Sequence, residues 1–281
     1  MQHSLKQIES LCMPSVELNR TWWEGTGPEA HWARAGNNWS DAYGDPDTQW
    51  YGSLLPRIHR FVPVGTILEI APGFGRWTQH LHRLAIRLIA VDLSDLCIQA
   101  CRERFRRVDN IEYYVNDGRS LAMVDDGSVD FVFSFDSLVH VELDVIDAYL
   151  VQLQAKLSFD GVAFLHHSNL GQFASYFALL DRLPRGRGLL SRLGLVEGSD
   201  QKRAKTVTAA AVKGCAERAG LSVVSQEVIN WRSRRPIDCI SVITRPCSRW
   251  AAGYRQLINT EFDAEASYLR RLGGLYGSRS T

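Results

Sequence analysis

Five short apolar runs, separated by longer mixed spacers, constrain the fold of this chain more than any other feature. They occupy 67–71, 88–91, 111–115, 131–135 and 161–165. Largely apolar runs, rather than alternating ones, belong to strands buried on both faces, which means a parallel sheet covered by helices on each side. The spacers suit that arrangement. Arg76 to Arg87, Asp95 to Arg106 and Asp144 to Leu157 are long enough for crossover helices. In the last spacer, Val145, Tyr149, Leu150, Leu153 and Leu157 approximate one apolar helical stripe. The fold class is therefore α/β, with a doubly wound, mostly parallel sheet.

Other segments flank this core. Residues 1–60 are polar and hold Trp22, Trp23, Trp32, Trp39 and Trp50 without clean periodicity, so they read as a helical extension packed onto the core. Trp50 and Tyr51, nearest the core in sequence, are the expected covers of its ligand. The main domain spans 61–245. Within it, 171–206 breaks the sheet pattern with Pro184, several glycines and a basic bias, and reads as an inserted cover. A helix is expected from Thr208 to about Arg218, with Gly220 as its C-cap. Two final strands, 221–228 and 238–244, suggest an antiparallel pair. Residues 246–281 read as a helical tail.

The charge balance argues against a nucleic-acid binder. Thirty-two Lys and Arg residues face 31 Asp and Glu, a net charge of +1, so there is no broad attraction for a polyanion. The basic bias of 182–206 could attract a phosphate or an acidic glycan, but it reads first as a solvated charged face. No apolar run is long enough to span a bilayer, and Met1 to Arg20 does not read as a signal peptide. The six cysteines form no CxxC pair and read as free thiols, consistent with a cytoplasmic protein. A homo-oligomer is a candidate assembly.

The first apolar run ends in Glu69-Ile70-Ala71-Pro72-Gly73-Phe74-Gly75. A strand leading through a glycine turn into a helix lets backbone approach a nucleotide and offers it free amides. Asp92 closes the second run, about twenty residues after the turn, where an acid accepts ribose hydroxyls. Asp117 follows the third run in Asn116-Asp117-Gly118, where it can accept from an adenine amino group. A carboxylate such as Glu69, inside a buried strand, needs a donor. A nicotinamide-binding fingerprint would need a third glycine where Thr78 stands. No lysine-containing phosphate loop is present.

With these residues in place, the sequence from about 66 to 169 resembles the class I S-adenosylmethionine-dependent methyltransferases. Glu69 to Gly75 resembles their first motif, with Ala71-Pro72 in place of the commoner small pair. Asp92 matches the ribose acid and Asp117 the adenine acid. Residues 130–136 match the strand leading to the catalytic face. The resemblance implies a Rossmann-like, seven-stranded sheet. It also implies S-adenosyl-L-methionine as cofactor, contacted by Glu69, Ala71, Pro72, Gly73, Gly75, Asp92, Leu93, Asn116, Asp117, Gly118 and Phe135.

Ligands of such sheets bind beyond the carboxyl ends of the strands. Asp136 to Glu142 follows the fourth strand, and His166-His167-Ser168-Asn169 ends the fifth. A neutral histidine can take the proton of an attacking hydroxyl. His140 is the first candidate, with His166 and His167 in reserve. Adjacent strand residues face opposite ways, so one of that pair is expected at the site. Asp136 is a candidate to position the acceptor, or with Glu142 to hold a divalent cation such as Mg2+. No spacing demands a metal. These segments resemble those of bacterial sugar and glycan O-methyltransferases, which implies a sugar-containing acceptor. Small-molecule O- or N-methylation and non-catalytic cofactor binding are the alternatives. The Asn-Pro-Pro-aromatic pattern of adenine-amino methylation is absent.

Overall fold

The computed structural model describes residues 16–17, 19–20, 36–182 and 202–277. Trp22, Trp23, Trp32, Cys12 and most of the expected inserted cover lie outside these residues.

Each apolar run forms a strand. β1 (Val64–Ile70), β2 (Ala85–Asp92), β3 (Ile111–Val115), β4 (Val129–Ser134) and β5 (Leu157–Ser168) are mutually parallel. β6 (Ser222–Ile229) and β7 (Asp238–Thr244) form the expected antiparallel pair, with β7 antiparallel to β5. The sheet order is β3-β2-β1-β4-β5-β7-β6-β8.

That order contains a strand not expected from the sequence. β8 (Arg255–Asn259) adds in parallel beside β6, so the sheet has eight strands where seven were expected. The tail is accordingly not all helical. It contributes β8 before its helix, Phe262–Gly277.

Neighbouring strand residues serve opposite layers, which is why the runs contain so few polar residues. Ile67, Leu88, Phe131, Phe133 and Phe164 join one core. Leu68, Ile89, Val132, Ala163 and Leu165 join the other. The first core is filled from outside the sheet by Trp50, Leu54, Ile58, Trp77 and Phe262. The second is filled by Val145, Tyr149, Leu150, Leu153 and Val212. At about 25 cal/mol per Å2 of buried apolar area, two such layers supply most of the drive for folding.

The helices follow from local signals. α1 (Pro46–Gln49) begins at Asp45, whose carboxylate accepts from Thr48 N, with Pro46 in the first turn. A π-helical turn (Trp50–Leu54) joins it to α2 (Leu55–Ile58). α3 (Thr78–Leu81) follows the glycine turn. Ser94 caps α4 (Asp95–Arg104) by accepting from Cys97 N. α5 (Leu143–Lys156) buries the predicted stripe from Val145 to Leu153. α6 (Ala174–Asp181) follows β5. α7 (Ala209–Arg218) is capped by Thr208, and Gly220 takes the left-handed conformation after it, at φ 79°. α8 (Phe262–Gly277) buries Phe262 and Ala266. Among the described residues, no helix is long and apolar enough to cross a membrane. The described cysteines are free thiols, buried except for Cys247.

The chain runs outward from β1 to β3, then returns to place β4 on the other side of β1. The segments leaving β1 and β4 therefore diverge around one crevice, at the switch point where such sheets bind ligands.

Candidate active site

The cleft at this switch point is bounded by the turn after β1, the end of β2, Gly118, the segment after β4, and α5. Val16 and Asn19 also line it. Asn19 Nδ2 donates to the His140 carbonyl at 3.0 Å.

The turn after β1 is shaped by left-handed residues. Ala71 has φ 58°, Gly73 56° and Gly75 80°. Gly73 N donates to Asp92 Oδ2 at 3.0 Å, and Ser94 N to Asp92 Oδ1 at 2.9 Å. Asp92 thus staples the glycine turn to the end of β2 while it lines the cleft.

The two glycines differ in role. Gly73 lines the cleft, as do Ala71 and Pro72. Gly75 does not, and a Cβ there would lie 2.5 Å from the Phe105 ring. It is small so that the turn can pack on the residue ending α4.

Glu69 sits beneath the turn, 1% exposed, and is not part of the cleft wall. Its Oε2 accepts from Thr78 Oγ1 at 2.6 Å, while Oε1 has no partner among the described residues. Burial, opposed by the Thr78 bond, pushes its pKa up to about 8. The residue that breaks the nicotinamide fingerprint is therefore the donor that the buried acid needs.

Past β3 the predicted residues separate. Gly118, at φ 82°, lines the cleft beside Leu93, and a Cβ there would come within 2.9 Å of Val16. Asn116 works behind it, accepting from Gly118 N and donating to Ser120 O and Tyr149 Oη. Asp117 is exposed and outside the cleft wall. Its Oδ1 accepts from Arg119 N and Ser120 N, and these bonds hold its pKa below the usual range. Here it caps a turn.

Phe135 and Asp136 line the cleft after β4. Asp136 is left-handed at φ 66°, and its N–H donates to His166 Nδ1 at 3.0 Å. Its carboxylate meets Arg76 Nη2 at 3.0 Å and Arg203 Nη2 at 4.0 Å. Burial would raise the Asp136 pKa, but Arg76, Arg203 and His166 outweigh it and hold the carboxyl ionised. Two guanidiniums on one carboxylate leave poor surroundings for a divalent cation. The other metal candidate, Glu142, accepts from Thr206 Oγ1. Among the described residues, no group of three or more His, Cys, Asp or Glu side chains could hold a metal. The donor set thus does not fit Mg2+.

His140 lines the cleft, partly buried. Its Nδ1 lies 3.0 Å from the Lys202 carbonyl oxygen. An oxygen acceptor there requires the proton on Nδ1, which leaves the lone pair on Nε2. Burial first, then Arg203, lowers the His140 pKa, so the ring is neutral at pH 7.

The other histidines fall elsewhere. His166 is fully buried, its ring stacked on Phe135 at 4.4 Å, with Nε2 3.4 Å from Asp238 Oδ2. It acts on the site through the Asp136 amide. His167 faces the opposite layer, with Nε2 2.7 Å from Ser241 Oγ and Nδ1 2.9 Å from Ser168 O. Burial lowers its pKa to about 4. Neither ring lines the cleft, although one was expected to, because Phe135 covers His166.

Three features escape a reading of the sequence. Arg76, directly after the glycine turn, lines the cleft between the rings of Trp39 and Trp77. Arg203 belongs to the expected solvated face, yet it is buried and paired with Asp238 at 2.8 Å. Finally, among the described tryptophans of the opening segment, it is Trp39 that lines the cleft. Trp50 is in the core, stacked on His80 at 4.7 Å, and Tyr51 is exposed beyond it.

Residues 67–161 match the family described as "Methyltransferase domain". A probable ribosomal RNA small subunit methyltransferase A of Methanosarcina acetivorans is 42% identical over 55 residues, 20% of this chain and 20% of that protein. The chain thus spans about a fifth of the length of the curated relatives it matches. The solved S-adenosylmethionine-dependent methyltransferase from Mesorhizobium loti is 18% identical at a TM-score of 0.51, covering 70% of this chain and 98% of that one. DhpI in its SAH complex is 19% identical at a TM-score of 0.52, covering 82% and 97%. At such identities the likeness is one of fold, and it is the Rossmann-like methyltransferase fold.

Proposed function

We propose that this chain transfers a methyl group from S-adenosylmethionine to a hydroxyl of a sugar-containing acceptor, with His140 as general base. The observation that carries the reading is the pairing, across one cleft, of the Asp92-stapled Gly73 turn with a neutral histidine whose lone pair lies on Nε2.

The cleft fits the cofactor in the features open to test. Gly73 and Gly118 bring backbone to its wall, and the Asp92 carboxylate lines it at the end of β2, where a ribose would lie. When bound, S-adenosylmethionine supplies an electrophilic methyl group. The chain's own residues do the rest. The turn and Asp92 orient the nucleoside. Phe135, Leu138 and Val141 exclude water from the walls. His140 Nε2 removes the hydroxyl proton as the oxygen attacks, an effect of roughly 10²–10⁴-fold in rate. Alignment of the attacking oxygen adds several kcal/mol more. Trp39 supports a sugar acceptor, because its flat ring lines the cleft where a pyranose face can pack.

A methyl-transfer screen over free sugars, glycolipids and phenols tests the proposal. Turnover with sugar hydroxyls is expected. Turnover confined to phenols or amines would overturn the acceptor assignment.

A further inference from the structure

Arg76 is charged, 6% exposed, and yet part of the cleft wall. Its guanidinium lies 4.5 Å from the Trp77 ring and 5.8 Å from the Trp39 ring. Such rings hold a guanidinium in place by cation–π attraction without consuming its N–H donors. A guanidinium has five donors in a planar fork. Among the described residues, Arg76 makes only two side-chain hydrogen bonds: Nη2 to Asp136 Oδ2 at 3.0 Å and a long one, Nη1 to Ser40 Oγ at 3.4 Å. Donors are left over in a place where water is scarce.

The surroundings favour one kind of partner. Asp136, which neutralises Arg76, is also approached by Arg203, itself anchored on Asp238. Arg232 adds a third guanidinium nearby, its Nη2 donating to the Trp39 carbonyl at 2.9 Å. A planar monoanion matches the unused edge of the fork. A phosphate dianion beside the Asp136 carboxylate would be repelled more strongly, and the oxygens of a neutral acceptor would meet these donors without the charge assistance that a carboxylate brings.

We propose that Arg76 is the specificity residue for the acceptor, binding a carboxylate on it, so that the acceptor is an acidic sugar or a comparable hydroxy acid. This rests on the methyl-transfer reading of the cleft. Asp136 positions the guanidinium, and His166 positions Asp136 through its backbone amide.

The test compares acids with their own amides. Binding of glucuronate and glucuronamide, and of benzoate and benzamide, is measured by calorimetry with and without S-adenosylhomocysteine, with glucose 6-phosphate as a further probe. Each acid is expected to bind at least tenfold more tightly than its amide, and glucuronate more tightly than glucose 6-phosphate. The preference should vanish in Arg76→Gln and weaken in Arg76→Lys, while affinity for S-adenosylhomocysteine changes less than about twofold. Lack of acid preference in both pairs, preference for the phosphate, or an Arg76→Gln protein that keeps the preference would each overturn the proposal. A variant that instead loses S-adenosylhomocysteine would put the guanidinium on the cofactor and would overturn it equally. If Arg76→Gln does not fold, the wild-type acid and amide comparison decides alone. Wild-type binding of S-adenosylhomocysteine separates the two readings: its presence without acid preference sinks only the anchor, whereas its absence sinks the methyl-transfer reading.

Discussion

Thr78 Oγ1 donates to Glu69 Oε2 at 2.6 Å, within the core beneath the glycine turn. The pair joins the end of β1 to the start of α3, and it fixes the turn's geometry from below. Thr78→Val keeps the shape and removes the donor. Leaving a buried acceptor unmet should cost about 1–3 kcal/mol, read as a lower urea midpoint with an unchanged slope. An unaltered midpoint would mean that the bond does not hold the turn.

The same acid makes stability depend on pH. Its pKa rises on folding from an ordinary 4.5 to about 8, so the folded state holds the proton more tightly. The associated stability is full below the unfolded value and is lost as pH rises through the folded one. Glu69→Gln, always neutral, should flatten that decline between about pH 5 and pH 8. Denaturation curves across this range check it, and parallel curves for both proteins would contradict it.

Gly75 and Phe105 should behave as a packing pair. Gly75→Ala puts a methyl group into the Phe105 ring and strains a left-handed residue. The expected loss is about 1–3 kcal/mol. Adding Phe105→Leu should recover part of it, since the ring is the nearest obstacle. Full additivity of the two substitutions in thermal melts would refute the contact.

Much of this is legible in the sequence, because the strands between two cores must be apolar at nearly every position. Runs such as 131–135 announce that condition directly. β8 is not legible, since Leu257 and Ile258 are exposed on an edge strand and carry no burial pattern. The site is half legible. Gly73 and Asp92 are bound to chain positions at strand ends, so spacing finds them. Arg76 gains its meaning only when the fold brings Trp39 over it, and no local pattern records that. His166 reads as a cleft residue because it ends a strand, but Phe135 stands between it and the cleft. Trp50 lies close to the core domain in sequence, yet its stacking on His80 draws it inside rather than over the ligand.

His140 should govern turnover and leave the cofactor alone. His140→Ala is expected to lower kcat by roughly 10²–10⁴-fold, with S-adenosylhomocysteine affinity unchanged within about twofold. Since burial and Arg203 lower its pKa, the wild-type rate should be flat through neutral pH and fall only on the acid side, below the ordinary imidazole range. Stopped-flow or radiolabel assays over pH check both. A wild-type rate in the variant would remove His140 as the base.

The most direct measurement is calorimetric titration of the protein with S-adenosylhomocysteine, beside the Asp92→Ala variant. One-to-one binding is expected for the wild type. A loss of about 10- to 100-fold is expected for the variant, as suits hydrogen bonds to a charged group. Failure of S-adenosylhomocysteine to bind, with NAD bound in its place, would contradict the assignment of the cleft to a methyl donor.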